Sequence, residues 1–182
     1  MNAGAADADF MLSTGRMPER TVEFNPNRRP PVYNPADIRA ITSYVASFGS
    51  GPPIPQMDLA TADLQQGASL YAINCEACHS AGGTGAALTN GFIAPPLRVA
   101  TPTEIAEAIR VGPGRMPVFS PGTLSDQEVA SIVRYVVDYV QRPVNHGGGG
   151  LGNLGPFSEG AVAWLLGTLV LVLVIRWIGS TG

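Results

Sequence analysis

Two hydrophobic patterns divide the 182-residue chain. In the middle, apolar residues recur at helical spacing at positions 64, 68, 71 and 75, and again through 129–140. Near the C-terminus, the pattern becomes an uncharged and mostly apolar run from Gly160 to Ile175. Alternating runs typical of strands are absent from the sequence. The pattern therefore predicts an all-α protein.

Two central helices have clear start signals. Thr101 to Glu104 form a capping box with proline at the first helical position, which predicts a helix to about Arg110. A second capping box, Ser125 to Glu128, begins a longer helix with a valine-rich buried face. We predict that residues 56–142 form one small all-α domain.

The C-terminal run is long enough to cross a membrane. Counted from Ser158 as N-cap to Gly179, a helix would measure about 33 Å at ~1.5 Å per residue, against about 30 Å for a bilayer core. Trp164 and Trp177 suit the two interfaces, and Arg176 can reach the headgroups.

These features predict three C-terminal segments. A glycine-rich tether covers residues 143–156, a transmembrane helix covers 157–179, and a cytoplasmic tail covers 180–182. The single charge of Arg176 favours a cytoplasmic C-terminus.

The only two cysteines lie in the segment from Cys75 to His79, which has the C-x-x-C-H pattern of covalent haem attachment. Two thiols on one helical turn can each add to a vinyl group of the same porphyrin, and the adjacent imidazole then lies under the iron. A redox pair of cysteines would sit near a βαβ pattern, which is missing here. A structural zinc site needs four ligands, and only the distant His146 could join these three. We predict haem c on Cys75 and Cys78, with His79 as an axial ligand.

Met116 is the candidate for the sixth iron ligand. It lies in a Gly/Pro-rich loop, residues 111–117, between two predicted helices. Glycines and prolines fix the path of such a loop, which suits a methionine reaching over a haem edge. The alternative is that Met116 only fills a gap in the core.

An incomplete repeat precedes this domain. Gly15 to Pro18 has the same sequence as Gly114 to Pro117, and each copy is followed by a capped helix, the first beginning at Asn34. We interpret residues 1–50 as the C-terminal half of another haem domain whose attachment half is missing, joined through a linker at 51–55. The alternative is a proline-rich extension.

Half a domain cannot bury enough apolar surface to offset chain entropy, so we expect residues 1–33 to be poorly ordered. The first seven residues also lack the basic and apolar regions of a signal peptide, although haem attachment occurs outside the cytoplasm. We therefore expect the chain to be the C-terminal part of a longer protein.

The central domain resembles a class I cytochrome c. In that family, a proline carbonyl in a G-P-x-L segment accepts the N–H of the proximal histidine. Ala94 to Leu97 is similar, with alanine in place of glycine, and the resemblance implies this role for Pro95.

Nearly the whole chain resembles the dihaem cytochrome cc subunit of the actinobacterial menaquinol–cytochrome c reductase. The resemblance is carried by the repeated Gly-Arg-Met-Pro, by Ala68 to Asn74 before the haem motif, and by the C-terminal order of elements. It implies that Met17 ligated the haem of the first domain. It also implies that Cys75, Cys78, His79 and Met116 hold the second haem.

The resemblance further implies a function in respiration. Electrons would arrive from the Rieske iron–sulfur protein beside the cytochrome b subunit and leave for the copper subunit of an aa3-type oxidase. The chain would belong to an oxidoreductase without a catalytic site of its own, with its haem domain on the extracytoplasmic side of the cell membrane. A net charge of -3 argues against nucleic acid as a partner.

Two other functions stay open. A stand-alone, membrane-anchored monohaem shuttle is the main alternative, although it would have no use for the orphan loop around Met17. A haem enzyme or gas sensor would need an open or labile sixth site on the iron.

Overall fold

The computed structural model describes residues 3–19, 27–142 and 156–180, and most of these residues are helical. The elements are α1 Ala5–Ser13, α2 Pro35–Ala46, α3 Leu64–Asn74, α4 Glu76–His79, β1 Ala86–Ala87, β2 Ile93–Ala94, α5 Pro102–Val111, α6 Asp126–Tyr135 and α7 Pro156–Ser180. A 3₁₀ turn, Thr89–Gly91, separates the strands, and a π-helical turn, Val136–Val140, extends α6.

The small hairpin corrects the expectation of a purely helical chain. Ala86 pairs with Ala94, and Ala87 pairs with Ile93, in an antiparallel register. Strands of two residues are too short to produce an alternating pattern, so they could not be predicted from the sequence.

The core of the central domain forms where α3 crosses α6. A Cβ atom on Gly67 would overlap the carbonyl oxygen of Ser131 and lie 3.1 Å from Cβ of Tyr135. Only glycine therefore allows the two helix backbones to approach this closely. Tyr71, Ile132 and other apolar side chains fill the space around the crossing.

Both predicted capping boxes are present. The Thr101 and Ser125 side chains accept hydrogen bonds from the backbone N–H groups of Glu104 and Glu128, and each glutamate accepts one in return. The α5 helix ends at Gly112, whose φ of +64° gives the left-handed conformation of a glycine cap.

The N-terminal segment is more structured than its length suggests. The expectation of poor order is wrong for α1, which packs against both α2 and α5. Ala6 is fully buried and Phe10 is 4% exposed. The helix is buried by other parts of the same chain, including α2 and α5, so it does not depend on a missing half-domain for burial. The predicted cap of α2 is also present, since Asn34 accepts hydrogen bonds from two backbone N–H groups.

The C-terminal helix α7 begins at Pro156, two residues before the predicted N-cap Ser158. Proline suits a first helical position because it has no N–H group to satisfy. By length and composition the segment Glu159–Ser180 could cross a membrane, with a mean hydropathy of 2.3 and none of it buried. Residues 143–155 of the predicted tether lie outside the described residues.

Candidate haem site

The two cysteine thiols lie on a single turn that follows α3. Cys75 ends α3, and its carbonyl accepts hydrogen bonds from the N–H groups of Cys78 and His79 at 3.1 and 2.8 Å. Both thiols are free, Cys75 buried and Cys78 half-buried. Burial raises the pKa of the Cys75 thiol to about 11.

The His79 ring is oriented by a backbone carbonyl. Its Nδ1–H donates to the Pro95 oxygen at 3.1 Å, the contact that Pro95 was expected to make. With the proton on Nδ1, Nε2 keeps the lone pair that can bind a metal. Burial lowers the pKa of His79, which favours the neutral imidazole that ligation needs.

Two glycines let the segment with Pro95 lie close to this turn. The N–H of Gly85 donates to the His79 carbonyl at 3.0 Å, and the N–H of Leu97 donates to the Gly83 carbonyl at 2.8 Å. Gly85 has a φ of +77°, and a Cβ atom there would overlap the Ala94 carbonyl oxygen. A larger residue would therefore displace the chain just before Pro95.

Met116 lies on a loop with a constrained path. Gly112 and Gly114 both have a φ of +64°. The Met116 N–H donates to the Pro113 carbonyl at 3.1 Å, and the half-buried side chain packs on the core of the central domain. The preceding Arg115 holds its guanidinium 4.6 Å from the ring centroid of Phe92. This contact joins the Met116 loop to the segment that leads into Pro95.

The other methionines have different surroundings. Met57 is half-buried against the same core. Met17 is 40% exposed, and its N–H donates to the Met11 carbonyl at 3.0 Å.

The arrangement of side chains does not resemble a zinc centre. Within residues 3–19, 27–142 and 156–180, no group of three or more His, Cys, Asp or Glu residues converges as metal ligands would. His146 lies outside the described residues. The free thiols and the oriented imidazole instead fit covalent haem attachment with a histidine ligand to the iron.

Sequence reasoning missed three contributors to the site. Gly83 and Gly85 admit the Pro95 segment, but their positive φ is not visible in the sequence. Tyr71 was identified only as part of an apolar stripe. Its hydroxyl donates to the Ser80 carbonyl at 2.7 Å and so fixes the chain directly after His79.

Comparison with known proteins agrees with this geometry. The family model described as cytochrome C oxidase, cbb3-type, subunit III matches residues 62–136. A cytochrome bc1 complex cytochrome c subunit of Corynebacterium diphtheriae is 36% identical over 99% of this chain and 70% of its own length. The chain belongs to the cytochrome bc1 complex cytochrome c subunit family.

Other members of the family show the same extent of match. The subunit of Mycobacterium tuberculosis is 36% identical over 99% of this chain and 67% of its own length, and that of Mycobacterium leprae is 34% identical over 99% and 65%. The chain thus spans about two thirds of the length of these relatives. A shorter protein, cytochrome c6 of a Picosynechococcus species, is 29% identical over 56% of this chain.

Membership of the cytochrome c subunit family establishes the general role. The protein is an electron-transport cytochrome c, and the family implies covalently bound haem c. Its curated relatives are subunits of the cytochrome bc1 complex, an oxidoreductase in which the cytochrome subunit carries electrons.

Proposed function

We propose that this chain is a membrane-anchored electron carrier whose haem is bound through Cys75 and Cys78, with His79 and Met116 as axial ligands. The observation that carries the proposal is the hydrogen bond from His79 to Pro95, since it directs Nε2 toward a ligand and fixes its protonation state. When bound, the haem supplies an iron that gains or loses one electron.

Met116 completes the proposed ligand set. The glycine-framed loop holds it against the core, and the Arg115–Phe92 contact joins that loop to the segment that leads into Pro95. With His79 and Met116 both holding the haem iron, no iron site would be left open for a small molecule. Electron transfer without substrate chemistry follows from this arrangement.

We further propose that the electrons come from the Rieske iron–sulfur protein and cytochrome b subunit and pass to the copper subunit of an aa3-type oxidase. The names of the relatives support a place in a bc1 complex. A membrane-spanning α7 would keep the haem domain beside such membrane-bound partners. Arg176 near the C-terminus supports a cytoplasmic tail and an extracytoplasmic haem domain.

The N-terminal segment fits the C-terminal half of a first haem domain, residues 1–50, with 51–55 as a linker to the domain at 56–142. In the sequence repeat, Tyr44 of α2 corresponds to Tyr135 of α6. Tyr135 packs 5.5 Å from the Tyr71 ring, whereas Tyr44 is 66% exposed. The exposed face of α2 supports the proposal that a helix like α3 covers it in a complete domain, where Met17 would be an iron ligand.

The ligand assignment can be tested by adding carbon monoxide to the reduced, haem-loaded protein. A six-coordinate iron held by His79 and Met116 should leave the spectrum unchanged and titrate as a single one-electron centre. Rapid binding of carbon monoxide would instead support the haem enzyme or gas sensor.

A further inference from the structure

Glu107 is the most deeply buried ionisable side chain among the described residues, and electron transfer gives it no role. It is 0% exposed and lies on α5 beside the equally buried Ala106. The α1 helix packs on α5, and its Asp9 interacts with Glu107. No described residue provides a hydrogen bond of ordinary geometry to either Glu107 carboxyl oxygen.

The charges that act on Glu107 are negative. Asp9 of α1 acts most strongly, and Glu104 follows from one turn earlier on α5. Glu104 already accepts two hydrogen bonds from Arg28, at 2.8 and 3.0 Å. The other nearby cation, Arg16, lies over the Phe10 ring at 4.8 Å.

Helix α6 also packs on α5, but its charged residues do not offset the negative charges near Glu107. Asp126 at the start of α6 is paired with Arg110 of α5. Further along α6, Arg134 is paired with Asp138. Neither pair contributes to the shift at Glu107, so an ionised Glu107 would be a buried charge opposite the like charge of Asp9.

Protonation of Glu107 removes the repulsion between its carboxylate and that of Asp9. Burial and the Asp9 carboxylate raise the pKa of Glu107 to about 9. Protonated Glu107 has an O–H group that can donate to the Asp9 carboxylate, whereas two ionised carboxylates have no proton to share. The packing of α1 on α5 is therefore compatible with one ionised carboxyl group of the pair but not with two.

We propose that the packing of α1 on α5 is a proton-dependent clamp, closed when Glu107 shares a proton with Asp9 and open when both carboxyl groups are ionised. The clamp would attach the N-terminal segment, including the Met17 loop, to the haem domain according to the surrounding pH. It does not depend on which residues ligate the haem.

The sign of the pH dependence follows from proton binding. Opening exposes Glu107 to water and returns its pKa toward the ordinary value of 4.5, whereas the closed form keeps it near 9. Between these values the closed form binds one more proton, so the opening equilibrium should rise about tenfold per pH unit and level off above about pH 9. The chain has no lysine, and its two histidines, His79 and His146, lie outside α1 and α5 in the sequence.

Amide hydrogen exchange on the full, haem-loaded chain in detergent can measure the opening. After correction for the intrinsic pH dependence of exchange, protection of α1 should fall about 100-fold between about pH 6 and about pH 8. Protection of α3 and α6 should stay constant. Glu107→Gln keeps the size and hydrogen-bonding capacity of the side chain but cannot ionise, so it should abolish the slope in α1.

Glu104→Gln is the matched control, because it removes a carboxylate one turn away and weakens the pairing with Arg28. It should keep the slope, although the levelling-off should move to a lower pH because the Glu104 charge contributes to the raised pKa of Glu107. The proposal is overturned if wild-type α1 shows no slope, if Glu107→Gln keeps the slope, or if Glu104→Gln removes it. A parallel loss of protection in α1, α3 and α6 would also overturn it, because that result means global unfolding.

Discussion

Two hydrogen bonds to backbone carbonyl groups fix the position of His79. The chain after it is fixed by the Tyr71 hydroxyl, and its Nδ1–H is directed at the Pro95 carbonyl. This arrangement sets the tautomer before any iron is bound, so the residues that shape the backbone control the chemistry of the ligand.

Replacing Met116 tests the sixth ligand. Met116→Ala should abolish the weak near-infrared iron–sulfur absorption of the oxidised protein. It should also lower the reduction potential by about 0.1 V or more, within the range of about 0.8 V that axial ligands span. Absorption spectra and potentiometric titration measure the two effects.

Met57→Ala is the control for this variant, because Met57 packs on the same core. It should reduce stability but keep the near-infrared band. If Met57→Ala removes the band and Met116→Ala keeps it, the assignment of the axial ligand is wrong.

Gly85→Ala tests the support of the proximal histidine. The left-handed conformation costs alanine about 1–2 kcal/mol, and the new Cβ would displace the chain just before Pro95. A weaker hydrogen bond makes the imidazole less basic, so the reduction potential should rise. Chemical denaturation and redox titration measure the two changes.

Gly91→Ala is the control for Gly85→Ala. Gly91 has a similar φ of +76°, but a Cβ atom there would meet nothing within 4 Å. It should carry a similar strain without changing the potential. Equal shifts of the potential in both variants would contradict the role given to the Pro95 carbonyl.

Among the elements, the helices with explicit start signals were predictable. The capping boxes at Thr101 and Ser125 and the cap at Asn34 lie where the sequence indicated them, because capping depends on a few local side chains. The β1–β2 hairpin and the order of α1 depend instead on contacts with distant parts of the chain. The local hydrophobic pattern of the sequence contains no signal of such long-range contacts.

The crossing of α3 and α6 gives a direct test of this packing. Gly67→Ala would place a methyl group against the Ser131 carbonyl and should lower the free energy of unfolding by about 1–3 kcal/mol. Gly122→Ala is the control, since its Cβ would meet only the Ser120 hydroxyl oxygen at 3.8 Å. Equal stability of the two variants in denaturant titrations would refute a tight crossing.

For the whole molecule, the proposed ligands and the proposed anchor lie on separate parts of the chain. The ligands fall within residues 75–116, whereas α7 begins at Pro156. The C-x-x-C-H motif and the long apolar run made this division predictable. The packing of the N-terminal segment was not, since the buried Ala6 and Phe10 lie on a helix that packs against both α2 and α5.

Proteolytic cleavage within residues 147–152 tests whether the haem domain and the membrane anchor are separate parts of the chain. It should release a soluble haem domain with an unchanged visible spectrum and leave α7 in the membrane. Electron delivery to the oxidase should fall, because tethering keeps the effective concentration at about the millimolar level. Unchanged oxidase-coupled turnover in dilute membranes would instead favour the free shuttle.

The most direct measurement of the central claim is the time-resolved haem absorbance of this chain in membranes during quinol oxidation. The account predicts that its haem is reduced by quinol and reoxidised by oxygen, one electron at a time, at least as fast as the steady turnover. Oxygen uptake at the full rate while this haem stays in one oxidation state would contradict the account.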